Sequence, residues 1–409
     1  MQALHKPQLD WLDQQQAAME GQLKQWCLIN TGTENITGLE ELRLLIAEAF
    51  SQLDCSIEHL DSAPIKELAD AGEVRNVPVG KCLHIRKQSD ATAKKAIIQR
   101  VMLVGHMDTV FAYDHHFQDL TPLENNKLQG PGTADMKGGI LVMLYALKAF
   151  MQSPLADQLE WQVFLNADEE TGSRGSDKYL REFAQKADYG LVYEPTMPDA
   201  SLAGARKGSG NFSILVKGLA AHAGRAFHEG KNAIAGLCEL FDQLHQLNTT
   251  RDSITLNLGR IQGGGALNVV PDTATGHFNI RTETVEDQIW FAKLIQEKLD
   301  SMNNQANACK FELHGGFTRP PKPMNEATQK LCNLVKDCGH KLGLTIGFKA
   351  TGGCCDGNNL SSAGLPCVDT LGVRGANIHS DKEFICLDSL TERAKLSYLI
   401  LTEIAKGAL

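Results

Sequence analysis

Apolar positions along this chain fall into short runs of strand length and longer stretches of helical length, and the two kinds alternate. The run AIIQRVMLV, Ala96 to Val104, predicts a mostly buried strand, and Gly138 to Phe150 predicts an apolar helix. WQVFLNA from Trp161 predicts a second strand, a polar helix follows over about Ser176 to Lys186, and YGLVY, Tyr189 to Tyr193, predicts a third strand. Strands separated by helical segments imply parallel βαβ units with helices on both faces. In such sheets ligands collect beyond the carboxyl ends of the strands, so candidate chemistry is sought there.

From Gly208 to about Gly316 the pattern changes: strand SGNFSILVKG, helix Asn232 to Asn248, strands SITLNLGRIQG and TATGHFNIRTE, helix Val285 to Met302, strand CKFELH. This β-α-β-β-α-β order is that of a ferredoxin-like α+β sandwich. Afterwards Asn325 to Leu342 is again helical and Leu365 to Leu371 strand-like, as if the chain rejoined its first sheet. The expectation is an α/β fold with a mixed, mainly parallel sheet, helices on both faces, and an inserted ferredoxin-like domain. Residues 1–204 and 318–409 would form the catalytic domain and 205–317 the insertion. The N-terminal segment scatters Leu9, Trp11, Leu12, Met19 and Leu23 among polar residues, which predicts a surface helix instead of a signal peptide.

Composition narrows the function classes. The chain has 409 residues, 43% hydrophobic and 22% charged, which favours two or three globular domains. A net charge of −9 with dispersed Lys and Arg leaves no footprint for nucleic acid. No apolar run reaches the roughly 18 residues of a membrane-spanning helix, so a soluble, cytoplasmic protein is expected. The 11 cysteines include no CxxC pair, which argues for reduced thiols over a disulfide framework or a thiolate zinc site.

Acidic and imidazole groups follow each predicted strand. GHMDTV holds His106 and Asp108, NADEETGS holds Glu169 and Glu170, YEPT holds Glu194, and the glycine-rich QGPGTADMKGG places Asp135 before the apolar helix. Carboxylates gathered without basic neighbours repel one another, so their convergence makes sense around a cation. Imidazole plus several carboxylates suits zinc or a similar divalent ion. His106 and Asp108, two apart, share a face of an extended backbone, which lets Asp108 orient the ring. Adjacent Glu169 and Glu170 point differently, so one can ligate while the other acts as general base. His115 and His116 lie in a polar loop and read as a surface pair.

The motifs GHMDTV, GPGTADMKGG, NADEETGS, YEPT, AHAGRAFHEGKNA, GGGALNVVP and ANIHSDKE, in this order over about residues 26 to 400, resemble the dizinc peptidases that include acetylornithine deacetylase, succinyl-diaminopimelate desuccinylase and bacterial glutamate carboxypeptidases. The last branch matches best, on GPGTADMKGG, YEPT and IHSDKE. The resemblance implies two Zn²⁺ per subunit, with Co²⁺ or Mn²⁺ as substitutes. His106 and Glu194 would hold one ion, His379 and Glu170 the other, and Asp135 would bridge. Glu169 would then be the general base, acting on water activated between the two ions. His222 and Asn268 would reach the substrate from the inserted domain, His222 in the neighbouring subunit of a homodimer. Arg281 would grip the substrate carboxylate, Arg319 would stand on the substrate side, and Gly352 and Gly353 would belong to a flexible substrate loop.

Relatives usually carry glycine, serine or threonine where this chain has Cys354 and Cys355. The implied substrate is a small peptide or N-acyl amino acid, and the implied activity is a carboxypeptidase releasing a C-terminal residue such as glutamate. An N-acyl-amino-acid deacylase is the alternative, since the same site performs both cuts. Glu194, where many aminopeptidase relatives carry aspartate, argues against an N-terminal exopeptidase. The intact Glu169 argues against a non-catalytic metal-binding regulator.

Overall fold

The computed structural model describes residues 2–87, 99–197, 199–305 and 309–409. Its central sheet has six strands in the order Ser56–Leu60, Cys82–Lys87, Leu159–Asn166, Gln99–His106, Tyr189–Val192 and Cys367–Val368. The first two pairings, Ser56–Leu60 with Cys82–Lys87 and Cys82–Lys87 with Leu159–Asn166, are antiparallel, and the remaining three are parallel. Successive side chains of the middle strand serve opposite layers, as the two-residue period requires. Val101 and Leu103 enter the larger core with helices Gly138–Met151 and Ser389–Ala405, while Met102 and Val104 enter a smaller one with Leu180, Phe183 and Leu360. Burial on both faces accounts for the nearly continuous apolar run.

The strand expected at Ala96 to Val104 runs Gln99–His106, so His106 is its last residue; positions 96–98 lie outside the described residues. Of Leu365 to Leu371 only Cys367–Val368 pairs, with the strand Tyr189–Val192. The N-terminal segment is helical, Gln2–Gln14 and Gln16–Cys27, but it is not merely a surface element. Leu12, Met19, Leu23 and Trp26 are buried in the main core, because their spacing aligns them as one stripe.

The insertion forms its own antiparallel sheet, in the order Ile254–Gly263, Thr273–Thr282, Gly208–Lys217 and Lys310–Arg319. Helices Ala233–His245 and Val285–Asn303 cover one face, around a cluster including Phe212, Phe241, Phe278 and Phe291. Thr284 and Asp287 close a capping box at the start of the second helix. The hairpin Ile65–Leu68 and Val74–Val77 meets the other face, where Thr275 Oγ1 donates to the Asp70 carbonyl (2.9 Å). Among the described residues no helix is long and apolar enough to cross a membrane.

Candidate metal centre

Three parallel strands of the central sheet deliver chemistry at their carboxyl ends. His106 terminates one strand, Glu169 and Glu170 lie in a short turn after Leu159–Asn166, and Glu194 follows Tyr189–Val192 by two residues. Asp135 occupies the turn before helix Gly138–Met151, and its peptide bond to Met136 is cis. His379, with φ 62°, comes from the turn between Gly375–Ala376 and Phe384–Cys386.

Asp135 stands at the middle of these groups. Its Oδ1 is 3.1 Å from His106 Nε2 and its Oδ2 is 3.2 Å from His379 Nε2. Glu194 Oε1 lies 3.8 Å from His106 Nε2, and Glu170 Oε2 lies 3.1 Å from His379 Nε2. The result is two donor groups, His106–Asp135–Glu194 and Asp135–Glu170–His379, that share one carboxylate. Buried Glu383, inside the ANIHSDKE motif, holds the Asp135 turn by accepting from the backbone N–H groups of Gly132, Ala134 and Asp135 (3.2, 2.9 and 3.0 Å).

Fully buried Asp108 supports both halves of the cluster. Its carbonyl is 3.0 Å from His106 Nδ1, and since a carbonyl only accepts, Nδ1 carries the proton and Nε2 faces Asp135. Its carboxylate accepts from the backbone N–H groups of Glu169 and Glu170 (3.1 and 3.2 Å) and from Thr33 Oγ1 (2.8 Å). Asp108 thus fixes the turn in which the two glutamates diverge.

Electrostatics mark the cluster as built for positive charge. Burial opposes ionisation of His106, yet Asp108, Asp135 and Glu194 outweigh it and hold the ring well above its ordinary value. Hydrogen bonds to Asp135 and Glu170 push His379 up to about 11. Burial lifts Glu170 to about 7, with Asp135 adding to it, and burial also raises Glu194. Burial would raise Asp135 too, but the two imidazoles hold it below the usual carboxylate range. A divalent cation satisfies the same demand that these extra protons meet, so the donor set fits metal.

Glu169 stands apart from both donor groups. Its Oε1 accepts from Arg319 Nη2 at 2.7 Å, and burial lifts it well above the carboxylate range against the pull of Arg319. Arg319 itself is 2% exposed and gives its remaining bonds to the Glu169 carbonyl, Asp356, Asn359 and Ser173 (3.1, 2.5, 2.6 and 2.9 Å). The structure therefore places Arg319 behind Glu169 and not on the cavity wall, unlike the substrate-side arginine expected from the sequence.

A cavity of about 310 Å³ opens over the cluster, with Glu169, Arg206, Gly353, Cys354 and His379 among its walls. Arg206, which sequence reasoning missed, is buried at the end of strand Leu202–Arg206, bidentate on Asp369 (2.9 and 3.0 Å) and donating to the Gly353 carbonyl (3.2 Å). The only hint was its place in GARKG, shortly after the third strand and YEPT. Arg281 does not pair with Glu283, which bonds Lys207 at 3.1 Å. Its Nη1 instead reaches Cys354 Sγ at 2.9 Å.

His222 and Asn268 are exposed on neighbouring loops of the insertion, joined by Ala223 N–H to the Asn268 carbonyl (2.9 Å). Neither lines the cavity of its own chain. His115 and His116 stack on each other, with ring centroids 4.4 Å apart, and belong to neither donor group.

Comparison with known proteins agrees with this geometry. A model of peptidase family M20/M25/M40 matches residues 102–403. Carboxypeptidase G2 of Pseudomonas sp. (strain RS-16) is 28% identical over 312 residues, covering 76% of this chain and 75% of that protein. Succinyl-diaminopimelate desuccinylase of Verminephrobacter eiseniae (strain EF01-2) is 25% identical over 366 residues, covering 85% and 87%. Among solved structures, the dipeptidase Dug1p of Saccharomyces cerevisiae has the same fold, with TM-score 0.74 at 16% identity over 99% of both chains. A tripeptidase of Staphylococcus aureus is similar, with TM-score 0.72 at 21% identity over 96% of this chain and 99% of that one.

Proposed function

This chain belongs to peptidase family M20/M25/M40, a metal-dependent family of peptidases and amidohydrolases, and on that premise we propose a dinuclear zinc carboxypeptidase that releases a C-terminal amino acid such as glutamate. The observation that carries the reading is the pair of donor groups sharing Asp135, with part-buried Glu169 beside them and outside both. Each group offers one imidazole and one carboxylate of its own, a set that suits Zn²⁺ and tolerates Co²⁺ or Mn²⁺. His106, Asp135 and Glu194 would hold one ion, and Asp135, Glu170 and His379 the other. Bound there, two divalent ions supply Lewis acidity toward a carbonyl and toward water.

The chain's own groups complete the reaction. Glu169 takes a proton from the attacking water and delivers it to the leaving amide nitrogen, a role that its raised affinity for protons favours. Arg319 holds one of its oxygens and Asp108 holds its backbone, so the free oxygen keeps a fixed direction. Arg281 receives the carboxylate of the departing residue.

Residues 1–204 and 318–409 form the catalytic domain in this reading, and 205–317 the insertion that pairs two copies. Exposed His222 and Asn268 lie among the exposed apolar side chains of Leu219, Phe227, Leu267 and Val269, which a second copy would cover. A cytoplasmic setting, where thiols stay reduced, suits eleven free cysteines.

Deacylation of an N-acyl amino acid is the second reading, since desuccinylases are among the relatives. A panel of peptides and N-acyl amino acids, assayed on zinc-loaded protein, decides between the two. The proposal expects release of the C-terminal residue from peptides with a free terminus and little turnover of their amides. Faster cleavage of simple acyl amino acids than of any peptide would overturn it.

A further inference from the structure

Arg281 sits near the end of strand Thr273–Thr282, in the insertion, and is held from two sides. Its Nε donates to Asn279 Oδ1 (2.9 Å), and Asn279 is itself tied to Ser209 Oγ, the Gly210 carbonyl and Asn211 Oδ1 (3.0, 3.1 and 2.7 Å). Its Nη1 donates to the thiol of Cys354 at 2.9 Å, across to the other unit of the fold. Among the described residues Nη2 has no protein partner.

Cys354 is well placed to act as a fixed point. It lines the cavity, and both chain neighbours are fastened. The Gly353 carbonyl accepts from buried Arg206 (3.2 Å). Cys355 caps helix Asp356–Ser362, its N–H donating to Asn358 Oδ1 (3.0 Å) and its sulfur accepting from Gly357 N–H (3.3 Å).

From this we propose that Cys354 is a positioning residue for substrate selection, its thiol bracing Arg281 in the orientation that receives a free carboxylate. This rests on the reading that Arg281 is the carboxylate receptor. A thiol is a weak, neutral acceptor. It orients the guanidinium without neutralising it, whereas an aspartate in its place would compete with the substrate for the same charge. A glycine would leave the arm unbraced. The contact also joins the insertion to the catalytic cavity, so the receptor is fully formed only with the two units in this arrangement.

The test compares wild type, Cys354→Val, Cys354→Ser and Arg281→Ala, each loaded with zinc. kcat and KM are measured on a peptide ending in free glutamate and on its C-terminal amide. Cys354→Val should raise KM for the free acid about tenfold with kcat within about twofold, the signature of lost uniform binding, and leave the amide unaffected. Cys354→Ser, whose hydroxyl accepts the same N–H, should return KM to within about threefold of wild type, in keeping with the modest net worth of one such bond. Cys354→Ala gives the same readings without added methyl groups if valine disturbs the fold. Wild-type KM on the free acid in both Cys354→Val and Cys354→Ala, or an equal rise on acid and amide, would overturn the brace. Arg281→Ala separates the two claims. If it abolishes the preference for the acid while the cysteine variants do not, only the brace falls; if it leaves the preference intact, the carboxylate receptor falls and the brace with it.

Discussion

Replacing Arg319 by methionine separates the arginine's observed position from the one its sequence implied. The side chain is 2% exposed and bonds two carboxylates, Asp356 Oδ1 at 2.5 Å and Glu169 Oε1 at 2.7 Å, as well as Asn359 and Ser173. Methionine fills similar space but leaves both carboxylates buried without their cation. Removing one partner of a buried pair costs about 3–5 kcal/mol. Asp356 keeps Asn166 Nδ2 (2.8 Å) and Ser173 Oγ (2.5 Å) as donors, so the expected loss falls toward the lower end of that range. Urea unfolding of the variant and wild type, followed by intrinsic fluorescence at matched metal content, reads the difference. kcat should fall at least tenfold as well, since Glu169 loses its fixed oxygen. A stability loss under about 1 kcal/mol together with a raised KM would refute this, because a side chain that touches substrate contributes to binding and little to the fold.

His106→Ala and His379→Ala should each lose metal, because each removes the only imidazole from one donor group; elemental analysis showing two equivalents retained in both would contradict the ligand map. Mixing Glu169→Gln and His222→Ala chains, each inactive alone, should return activity toward half of normal in the heterodimers that form if His222 serves the neighbouring subunit, and demonstrable subunit exchange without recovery would exclude that arrangement.

The centre was legible in outline because strand-end chemistry is local. An apolar run followed at once by His106, Glu170 or Glu194 marks a candidate ligand position without knowledge of its partners, and the structure gathers those residues around Asp135. His379 lacked such a frame, since its turn lies between strands of two and three residues, too short to show a period; only the resemblance pointed to it. Arg206 was invisible because its meaning depends on Asp369, 163 residues away. Arg319 was misplaced because a motif position says nothing about which side of the base the side chain occupies. The inserted β-α-β-β-α-β unit was readable from long amphipathic strands and well-separated helices. The N-terminal helices were recognised as helical but not as buried, since no segment announces the partner that covers its stripe. His222 and Asn268 illustrate the remaining gap, for nothing within one copy carries them to the cavity.

Glu169→Gln tests the central claim most directly, because it removes the proposed base while touching neither donor group. Turnover of a C-terminal glutamyl peptide and zinc content should be measured on the same preparation. The account predicts two equivalents of zinc retained and turnover reduced on the order of 10²-fold or more, the usual contribution of a positioned base. Wild-type turnover in the metal-replete variant would contradict it.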